Sequence, residues 1–376
     1  MNETLPLAGI KVVELGQNVA GPYAGLIFAS LGADVVKIER PVGGDDARGW
    51  SPVLATGSSS TFEAMNRGKK SIALDLNDAD EMKRLRKHIA DCDVLLHNLR
   101  PGVMEQLGLG AERLTSDNPR LVYCNLTAFG HMGSLQSKPG YEPIVQAFAG
   151  IFSINGPENG PGVRVGLQIL DLGTGIWGAL GCLAALFRRT LTGRGGIVDA
   201  SLLETALGWL QLPLANFNAT GKHPMRQSSG SANVVVFQAF DARDGAILIA
   251  AANDRLYAKL CRAIGQDALA DDPRFATNTD RVKNRELIIP AIEKTIALQP
   301  VRHWVDLLEA AGVPCSPIHD LKQMLEHPHV GELGIMQHVP GVGLDVVGLP
   351  FSIDRERPEP RTQAPRLGQH SDLIRD

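Results

Sequence analysis

The first half of the chain alternates short runs of β-branched and aliphatic residues with segments of helical periodicity. The run IKVVEL (residues 10–15) predicts a buried strand, residues 20–31 predict a helix, and DVVKIE (residues 34–39) predicts a second strand. Short strands regularly separated by helices are typical of a parallel sheet with right-handed crossovers. The chain is therefore expected to have an α/β fold built on a doubly wound parallel sheet. The pattern also predicts a helix at 78–90 and strands at 72–76, 94–97, 121–126 and 197–201.

The pattern changes after residue 201. Residues 202–219 predict one long amphipathic helix with a kink at Pro213. A loop rich in Ser, Gly and Asn follows at 225–233, and two strands joined through residues 241–245 come next. We therefore predict a smaller α+β domain. The predicted divisions are a large domain (1–205 and 319–376), a linker helix and connection (206–224), and the small α+β domain (225–318).

Charge and cysteine usage exclude several classes of protein. The net charge of −4 argues against a nucleic-acid partner, which normally requires a basic excess. The five cysteines are scattered without a C-x-x-C pair, so neither a disulfide framework nor a zinc site is expected. No signal peptide is evident, and a reducing, cytoplasmic location is predicted. The apolar run at 172–187 is shorter than the roughly 20 residues of a membrane span, which predicts a core helix and no membrane.

The first strand–helix turn, ELGQNVAGP, stands where a dinucleotide-binding protein carries its phosphate loop. Gly16 and Gly21 are spaced G-x-x-x-x-G, which lacks the G-x-G-x-x-G fingerprint, and no Lys-Ser/Thr follows for a P-loop. Glu39 closes the second strand, as an acid that binds a ribose would. The missing glycine fingerprint outweighs this acid, so the sequence argues against an NAD-dependent oxidoreductase.

Asp171 stands at the front of the apolar helix LDLGTGIWGALGCLAALF. An Asp at this position is usually only a helix cap. The exposed N–H groups and positive potential of a helix N-terminus are nevertheless expected to keep a partly buried carboxylate ionised. Such a carboxylate can attack an activated acyl carbon and form a covalent intermediate. Gly173, Gly175, Gly178 and Gly181 weaken this helix unless a neighbour approaches it closely.

Basic residues accompany the predicted strand ends. Arg40 follows the second strand, and Arg67, Lys69 and Lys70 form a cluster before the third. Such a cluster is usually a solvated face, but it can also hold phosphates at the ligand-binding edge of an open sheet. The histidines form no convincing metal site, since His327 and His329 flank a proline. No metal is therefore predicted.

Several stretches in order resemble the class III CoA-transferase (CaiB/BaiF) family from end to end. They are PLAGIKVVELGQNVAGPYAGLIFASLGADVVKIERP, NRGKKSIALDL, HNLRPGVMEQLGL, NPRLVYCNLTAFG, LTGRGGIVDASLLE, GVPCSPI and APRLGQHSD. The resemblance implies a Rossmann-like CoA-binding domain, a smaller domain and an interlocked homodimer. It also implies that the substrates are coenzyme A, as an acyl-CoA, and a small carboxylic acid. No tightly bound cofactor is implied.

The resemblance assigns the catalytic role to Asp171. It implies attack on the donor acyl-CoA, an aspartyl anhydride, an aspartyl-CoA thioester, and passage of CoA to the acceptor acid. It also assigns six residues to the binding of CoA: Val19, Ala20, Arg40, Lys69, Asn98 and Arg100. In motif detail the chain is nearest to the formyl-CoA transferase branch, which places Trp50, Tyr141 and Glu142 in the substrate pocket.

The chain departs from that branch at three places. Val19 replaces a glutamine, Gln106 replaces an arginine, and the glycine-run loop is missing, with SSGSAN as its nearest counterpart. These departures argue against oxalate as the acceptor. The alternative function within the family is an acyl-CoA racemase, which uses a histidine–aspartate pair. Tyr141 stands at that histidine's position, and a tyrosine is a poor proton carrier near neutral pH. The racemase function is thereby less favoured, but it stays open. A CoA-binding module without chemistry is disfavoured by Asp171.

Overall fold

The computed structural model of the protein describes residues 5–339, 341–360 and 362–374. Contacts divide the chain into two compact units. The first unit comprises the residues up to Ile151, Val165–Leu214 and those from Gly331 onward, and the second comprises Phe152–Arg164 and Ala215–Val330.

The sequence places the small domain at 225–318, whereas the second unit extends further at both ends and includes residues 152–164. Hydrogen bonds explain that inclusion, because Arg226 donates to the carbonyls of Ser153 and Pro157, and Ser228 N–H donates to Gly156 O. The outermost residues of the predicted large domain, 1–4 and 375–376, lie outside the described residues.

Eleven strands form within the described residues. They are β1 (Lys11–Leu15), β2 (Asp34–Glu39), β3 (Lys70–Ala73), β4 (Val94–His97), β5 (Val122–Thr127), β6 (Gly196–Ser201), β7 (Phe237–Ala242), β8 (Gly245–Ala250), β9 (Cys315–Pro317), β10 (Met336–Val339) and β11 (Leu344–Val347).

Seventeen α-helices form within the same residues. They are α1 (Ala20–Ser30), α2 (Ser60–Asn66), α3 (Ala79–Ala90), α4 (Val103–Gln106), α5 (Ala111–Asp117), α6 (Glu142–Phe148), α7 (Ile151–Ile154), α8 (Ile169–Thr192), α9 (Leu202–Trp209), α10 (Gln211–Thr220), α11 (Asp254–Ala263), α12 (Asp267–Asp271), α13 (Asn278–Lys283), α14 (Arg285–Ile296), α15 (Val301–Ala310), α16 (Leu321–Glu326) and α17 (Pro328–Glu332).

The first unit is built on a six-stranded parallel sheet in the order β3-β2-β1-β4-β5-β6. This is the strand order of a Rossmann-like sheet, whose direction of winding reverses between β1 and β4. The predicted α/β class with a doubly wound parallel sheet is thereby confirmed. Because every strand is parallel, all their carboxyl ends meet at one edge of the sheet.

Alternating strand residues supply two hydrophobic cores, one on each face of this sheet. On one face, Val12, Val35 and Leu96 pack with residues of α1 and α8. On the other face, Val13, Val36 and Leu95 pack with α3 and the segment around α4 and α5.

Two predicted elements differ from the observed ones. The helix predicted at 202–219 is split, because α9 ends at Trp209 and α10 begins at Gln211. Pro213 explains the break, since it lacks an N–H and its ring crowds the carbonyl four residues earlier, at position 209. The strand predicted at 72–76 is instead β3 at Lys70–Ala73, where Lys70 pairs with Val36.

The C-terminal segment protects the outer edge of β3. His370 N–H donates to Ser71 O (2.8 Å), and Ser71 N–H donates to His370 Nδ1 (3.2 Å). Ala73 N–H donates to Ser371 Oγ (3.0 Å). A bare strand edge is a template for pairing with other chains, so this segment satisfies β3 from within the same chain.

The second unit has its own sheet, with β7, β8 and β9 paired antiparallel in that order. Phe240, Ile247 and Ile249 form its core with residues of α11, α14 and α15. The predicted small α+β character is thus present, and VPCSPI contributes β9 to this sheet.

α8 is 24 residues long, so it exceeds the apolar run of 172–187 counted in the sequence, and its length and composition would allow it to cross a membrane. Half of its most apolar stretch is buried inside the protein. It packs on α1, α9, β5 and β6, as a core helix does. Gly178 permits this packing, because a Cβ there would lie 2.6 Å from Leu126 Cδ2.

Candidate active site

The carboxyl edge of the parallel sheet gathers most of the predicted CoA residues. Val19 and Ala20 end the turn after β1, and Arg40 directly follows β2. Asn98 and Arg100 follow β4, on the other side of the point where the winding reverses. Ligands of open α/β sheets bind in the crevice at this point.

A small cleft of about 170 Å³ opens at the same edge. Leu15, Ile38, Leu74 and Leu99 give it an apolar floor, and the half-exposed Arg40 stands at its side. Arg40 forms an ion pair with the exposed Asp46. A cleft with apolar residues in its wall and a half-exposed cation beside them suits a flat base with an attached phosphate.

Glu39, the acid that would bind a ribose in an NAD enzyme, is fully engaged inside the protein. Arg48 donates to both of its oxygens (2.8 and 2.7 Å), and Ser71 Oγ and Asp45 N–H donate at 2.6 and 3.0 Å. Burial by itself raises the pKa of Glu39. The hydrogen bonds from Arg48 and Ser71 and the charge of Lys37 have the larger, opposite effect, so the pKa lies below its ordinary value. The carboxylate is therefore not free to bind a ribose hydroxyl.

Lys69 differs from its predicted surroundings. Its ammonium is buried, pairs with Glu14 Oε2 (2.8 Å), and donates to Pro22 O (2.7 Å) and Asn66 Oδ1 (2.9 Å). Burial lowers the pKa of Lys69 to about 8. The Lys69 side chain is 0% exposed, so its ammonium does not reach the surface where a phosphate would bind. The position of Lys69 before β3 suggested a phosphate ligand, but its side chain turns into the interior to meet Glu14.

A larger cavity of about 1680 Å³ is lined by the end of α1, by residues 67–70 and by the C-terminal segment. Of the predicted site residues, only Lys69 contributes to its wall. The candidate active site therefore lies at the carboxyl edge of the sheet and not in this cavity.

Asp171 is the third residue of α8, and Gln168 occupies the cap position. Asp171 is therefore not the helix cap that an Asp near a helix start usually is. Burial, and after it the charge of Glu142, raises the pKa of Asp171 to about 7. The expectation that the helix N-terminus keeps this carboxylate ionised is therefore corrected, because burial and a neighbouring acid outweigh the helix dipole.

Glu142 is held in place by a residue that the sequence analysis did not identify. Gln146, one turn later on α6, donates through Nε2 to Glu142 Oε1. The same carboxamide accepts from Val165 N–H (2.9 Å) and donates to Val165 O (3.3 Å). Gln146 therefore ties the Glu142 carboxyl to the segment that leads into α8 and Asp171. An i, i+4 pair of Glu and Gln on a short helix was its one signal in the sequence.

The two aromatic residues predicted for the substrate pocket lie at the surface. Tyr141 precedes α6 and is 66% exposed, whereas its neighbour Glu142 is 5% exposed. Trp50 follows the short 3-10 turn after β2 and is 39% exposed. The structure brings the charge of Glu142 to Asp171, and within the described residues no hydrogen bond or ion pair joins Trp50 to either of them.

A glycine brings α8 against the turn after β1. Gly175 follows Asp171 by four residues and therefore lies on the same helix face. A Cβ at Gly175 would lie 2.8 Å from Ala20 O and 3.2 Å from Ala24 N, both on α1. Asp171 therefore lies one helical turn before the point at which α8 meets Ala20, at the start of α1.

Comparisons with known proteins identify one family of similar sequences and structures. The model of CoA-transferase family III matches residues 7–371. The human succinyl-CoA:glutarate CoA-transferase is 34% identical over 100% of this chain and 86% of its own length. The acetyl-CoA:oxalate CoA-transferase of Acetobacter aceti is 36% identical over 98% of this chain and 95% of its own. A crystal structure of a CAIB/BAIF family protein from Brucella suis superposes with a TM-score of 0.88 at 33% identity, covering 99% of this chain and 98% of that one.

Proposed function

The chain belongs to CoA-transferase family III, and we propose that it transfers CoA between two carboxylic acids through covalent intermediates on Asp171. The observation that carries this proposal is the Asp171 carboxyl itself. It is largely buried in the first turn of α8, it adjoins the β1–α1 turn, and its pKa is raised to about 7. A carboxylate of higher basicity is a stronger nucleophile once it is ionised.

The first half of the reaction loads the aspartate. The ionised Asp171 oxygen attacks the acyl carbon of the donor thioester, the C–S bond breaks, and CoA leaves as a thiolate. The product on the enzyme is a mixed anhydride of Asp171 and the donor acid. The thiolate then attacks the aspartyl carbonyl carbon, which releases the donor acid as a carboxylate and leaves an aspartyl-CoA thioester.

The second half reverses these steps with the acceptor. The acceptor carboxylate attacks the aspartyl thioester, which gives a new anhydride and frees the thiolate. Attack of the thiolate on the acceptor acyl carbon forms the new acyl-CoA and returns Asp171 as a carboxylate. No proton and no electron is gained or lost over the cycle, so no tightly bound cofactor is required by this chemistry.

The carboxyl edge of the sheet is proposed to hold CoA. Its apolar cleft suits the adenine ring, and Arg40 and Arg100 are cations at the surface of that edge that can meet phosphates. Val19 and Ala20 are proposed to face the thioester because Ala20 abuts the helix of Asp171. Trp50, Tyr141 and Glu142 are proposed to border the acid, since Glu142 lies beside Asp171.

The acids are proposed to be small dicarboxylates. The relatives named above are called succinyl-CoA:glutarate and acetyl-CoA:oxalate CoA-transferases, and each of these names contains a dicarboxylate. Free acids screened against succinyl-CoA and acetyl-CoA by mass spectrometry will identify the pair.

A homodimer is proposed from the outer face of α8. Ile176, Leu180, Phe187 and Leu191 follow helical spacing along it and are exposed in the single chain. Exposed apolar stripes of this kind mark association surfaces. A cytoplasmic location is proposed because the five cysteines are free thiols, as a reducing compartment favours.

Asp171→Asn tests the proposed nucleophile. The amide keeps the shape of the side chain but cannot attack a thioester, so we expect a loss of transfer of at least about 10³-fold, comparable to the loss of other nucleophiles. Binding of CoA, measured by calorimetry, should persist. Asp117→Asn, which changes an exposed acid on α5, is the matched control and should keep full activity. Transfer at the wild-type rate by Asp171→Asn contradicts the proposal.

A further inference from the structure

The turn after β1 is held at consecutive backbone groups by side chains from β2, from the loop after β2 and from the residue that follows β4. Lys37 donates its ammonium to Gly16 O. Gln17 N–H donates to Asn98 Oδ1 (2.7 Å), and Asn98 Nδ2 donates back to Gln17 O (2.8 Å). Asn18 N–H donates to Asp45 Oδ1 (3.0 Å). Three side chains thus fix three successive residues of one turn.

The conformation of this turn needs such support. Asn18 has φ 65°, in the left-handed region that L residues other than glycine seldom occupy. Residues held in such regions persist only where the surroundings determine them, and they cluster at functional sites. The three side chains supply those surroundings.

A buried charge cluster lies behind the turn. Lys37 Nζ pairs with Glu14 Oε1 (3.0 Å) and Asp45 Oδ2 (2.9 Å), and Lys69 Nζ pairs with Glu14 Oε2 (2.8 Å). All four side chains are essentially inaccessible to solvent. Two acids and two bases balance in charge.

The helix facing this cluster is adapted to it. Gly25 of α1 provides the space that the Glu14 carboxylate occupies, since a Cβ at position 25 would lie 1.9 Å from Glu14 Oε2. Buried ion pairs contribute little to stability compared with apolar packing, and their best attested use is to specify one arrangement. The arrangement specified here is that of the β1–α1 turn.

Resting on the proposed function of Asp171, we propose that Asn98, Asp45 and Lys37 are positioning residues that hold the Gly16–Ala20 turn against the helix of the nucleophile. The Asn98 carboxamide then holds the turn, because both of its polar atoms bond to Gln17. Asp45 links the turn to the charge cluster, and Lys37 joins that cluster to Gly16. The turn meets α8 where Ala20 O faces Gly175, one helical turn after Asp171.

Two alanine variants and one conservative variant test this proposal in the full-length protein. Asn98→Ala removes both bonds to Gln17, and Asp45→Ala removes the bond to Asn18 together with the ion pair to Lys37. A displacement of about 1 Å in a reacting geometry costs about 10²-fold in rate, so we expect kcat to fall by about that factor in both. The Kd for free CoA, measured by calorimetry, is expected to stay at the wild-type value. Asp45→Asn retains an acceptor oxygen for Asn18 N–H and is expected to recover part of the rate.

The control is Asn118→Ala. The Asn118 carboxamide also accepts from a backbone N–H (Arg120, 3.0 Å), but at the amino end of β5, opposite the site. It is expected to keep wild-type kcat.

Two results overturn the proposal: a Kd for CoA that rises in Asn98→Ala while kcat holds, or a wild-type kcat in both alanine variants. If Asn98→Ala fails to fold, the kcat ratio of Asp45→Asn to Asp45→Ala decides, and equal rates overturn the proposal. Failure of the proposed nucleophile would appear separately, as transfer by Asp171→Asn.

Discussion

The carboxyl group of Asp171, in the first turn of α8, lies near that of Glu142 on α6. Burial, and after it the negative charge of Glu142, raises the pKa of Asp171 to about 7. A helix N-terminus alone would favour the ionised form. The pair therefore gives the protein a carboxyl group that titrates near neutral pH. Gln146 fixes the Glu142 side of this relationship through its bonds to Glu142 and Val165.

The pH dependence of transfer should report this titration. In the proposed mechanism only ionised Asp171 attacks, so kcat/KM is expected to rise as the pH increases through about 7. Glu142→Gln removes the neighbouring charge and should move this rise to lower pH. Initial rates from pH 5.5 to 8 will measure both effects, since ordinary carboxylic acids are already ionised over most of that range, with pKa values of about 4.

Titration of the CoA phosphates could also change kcat/KM, so the Kd of free CoA is measured over the same pH range to separate this effect from the titration of Asp171. A rate that is flat across this range, or a rise that Glu142→Gln leaves in place, contradicts the coupling of the two carboxyl groups.

Removal of the charge at position 171 should stabilise the protein at high pH. The folded-state pKa of Asp171, about 7, lies above its ordinary value of 3.8. Protonated Asp171 therefore favours the folded state, and this contribution is complete below pH 3.8 and is lost as the pH rises through about 7. A shift of this size, discounted for partial exposure, is worth on the order of 2 kcal/mol. Asp171→Asn is therefore expected to melt at a higher temperature than the wild type, with the larger gain at pH 8 than at pH 5.

Differential scanning calorimetry will measure this difference, with Asp117→Asn as the control that shows no such pH dependence. An equal or smaller gain at pH 8 than at pH 5 would mean that Asp171 is ionised without penalty in the folded protein.

The order of elements in the large domain was predictable because its strands are apolar runs separated by helical patterns. β2 and β4 have the bounds that the sequence predicts, at 34–39 and 94–97. The hairpin of β10 and β11 was missed, since its short strands carry no clear alternation. Residues 152–164 join the second unit through bonds from Arg226 and Ser228, and no local pattern reveals such distant partners.

The close approach of α8 to α1 depends on a missing side chain. Gly175→Ala would place a Cβ 2.8 Å from Ala20 O. Forcing such packed helices apart is expected to cost about 1–3 kcal/mol in the free energy of unfolding. It should also lower kcat, because it separates Asp171 from the β1–α1 turn.

Gly208→Ala is the matched control for that change. A Cβ at Gly208, inside α9, meets no atom within 4 Å, so this alanine should stabilise the helix by about 0.5–1 kcal/mol. Denaturant unfolding and steady-state kinetics measure both variants. A Gly175→Ala protein as stable and active as the wild type contradicts the close-packed arrangement.

The outer face of α8 should mediate self-association. Multi-angle light scattering is expected to give twice the chain mass of 40.3 kDa for the wild type. Asp substitutions at Leu180 and Phe187 put charges on the apolar stripe and should reduce that mass or cause aggregation. Leu298→Asp, at an exposed leucine of the second unit, should not. A wild type that runs at the mass of one chain contradicts the proposed homodimer.

The candidate site was only partly readable in the sequence. Asp171 was identified because an acid opens a glycine-rich apolar helix and the whole chain resembles a known family. The burial of Lys69 was not readable because it stands in a run of cations with Arg67 and Lys70, whereas the structure pairs its ammonium with Glu14 inside the protein. The one available signal was a charge within each of two apolar strands, Glu14 and Lys37, which the parallel register of β1 and β2 places side by side.

Trapping the covalent intermediate tests the account most directly. Hydroxylamine added during turnover should attack an aspartyl anhydride or thioester, and peptide mass spectrometry should then find the hydroxamate on Asp171. The label should require an acyl-CoA donor and be absent from Asp171→Asn. Turnover that proceeds with unlabelled Asp171, or with exchange of the α-proton of a 2-methylacyl-CoA in place of CoA transfer, would contradict the proposed role of this carboxylate as the acyl and CoA carrier.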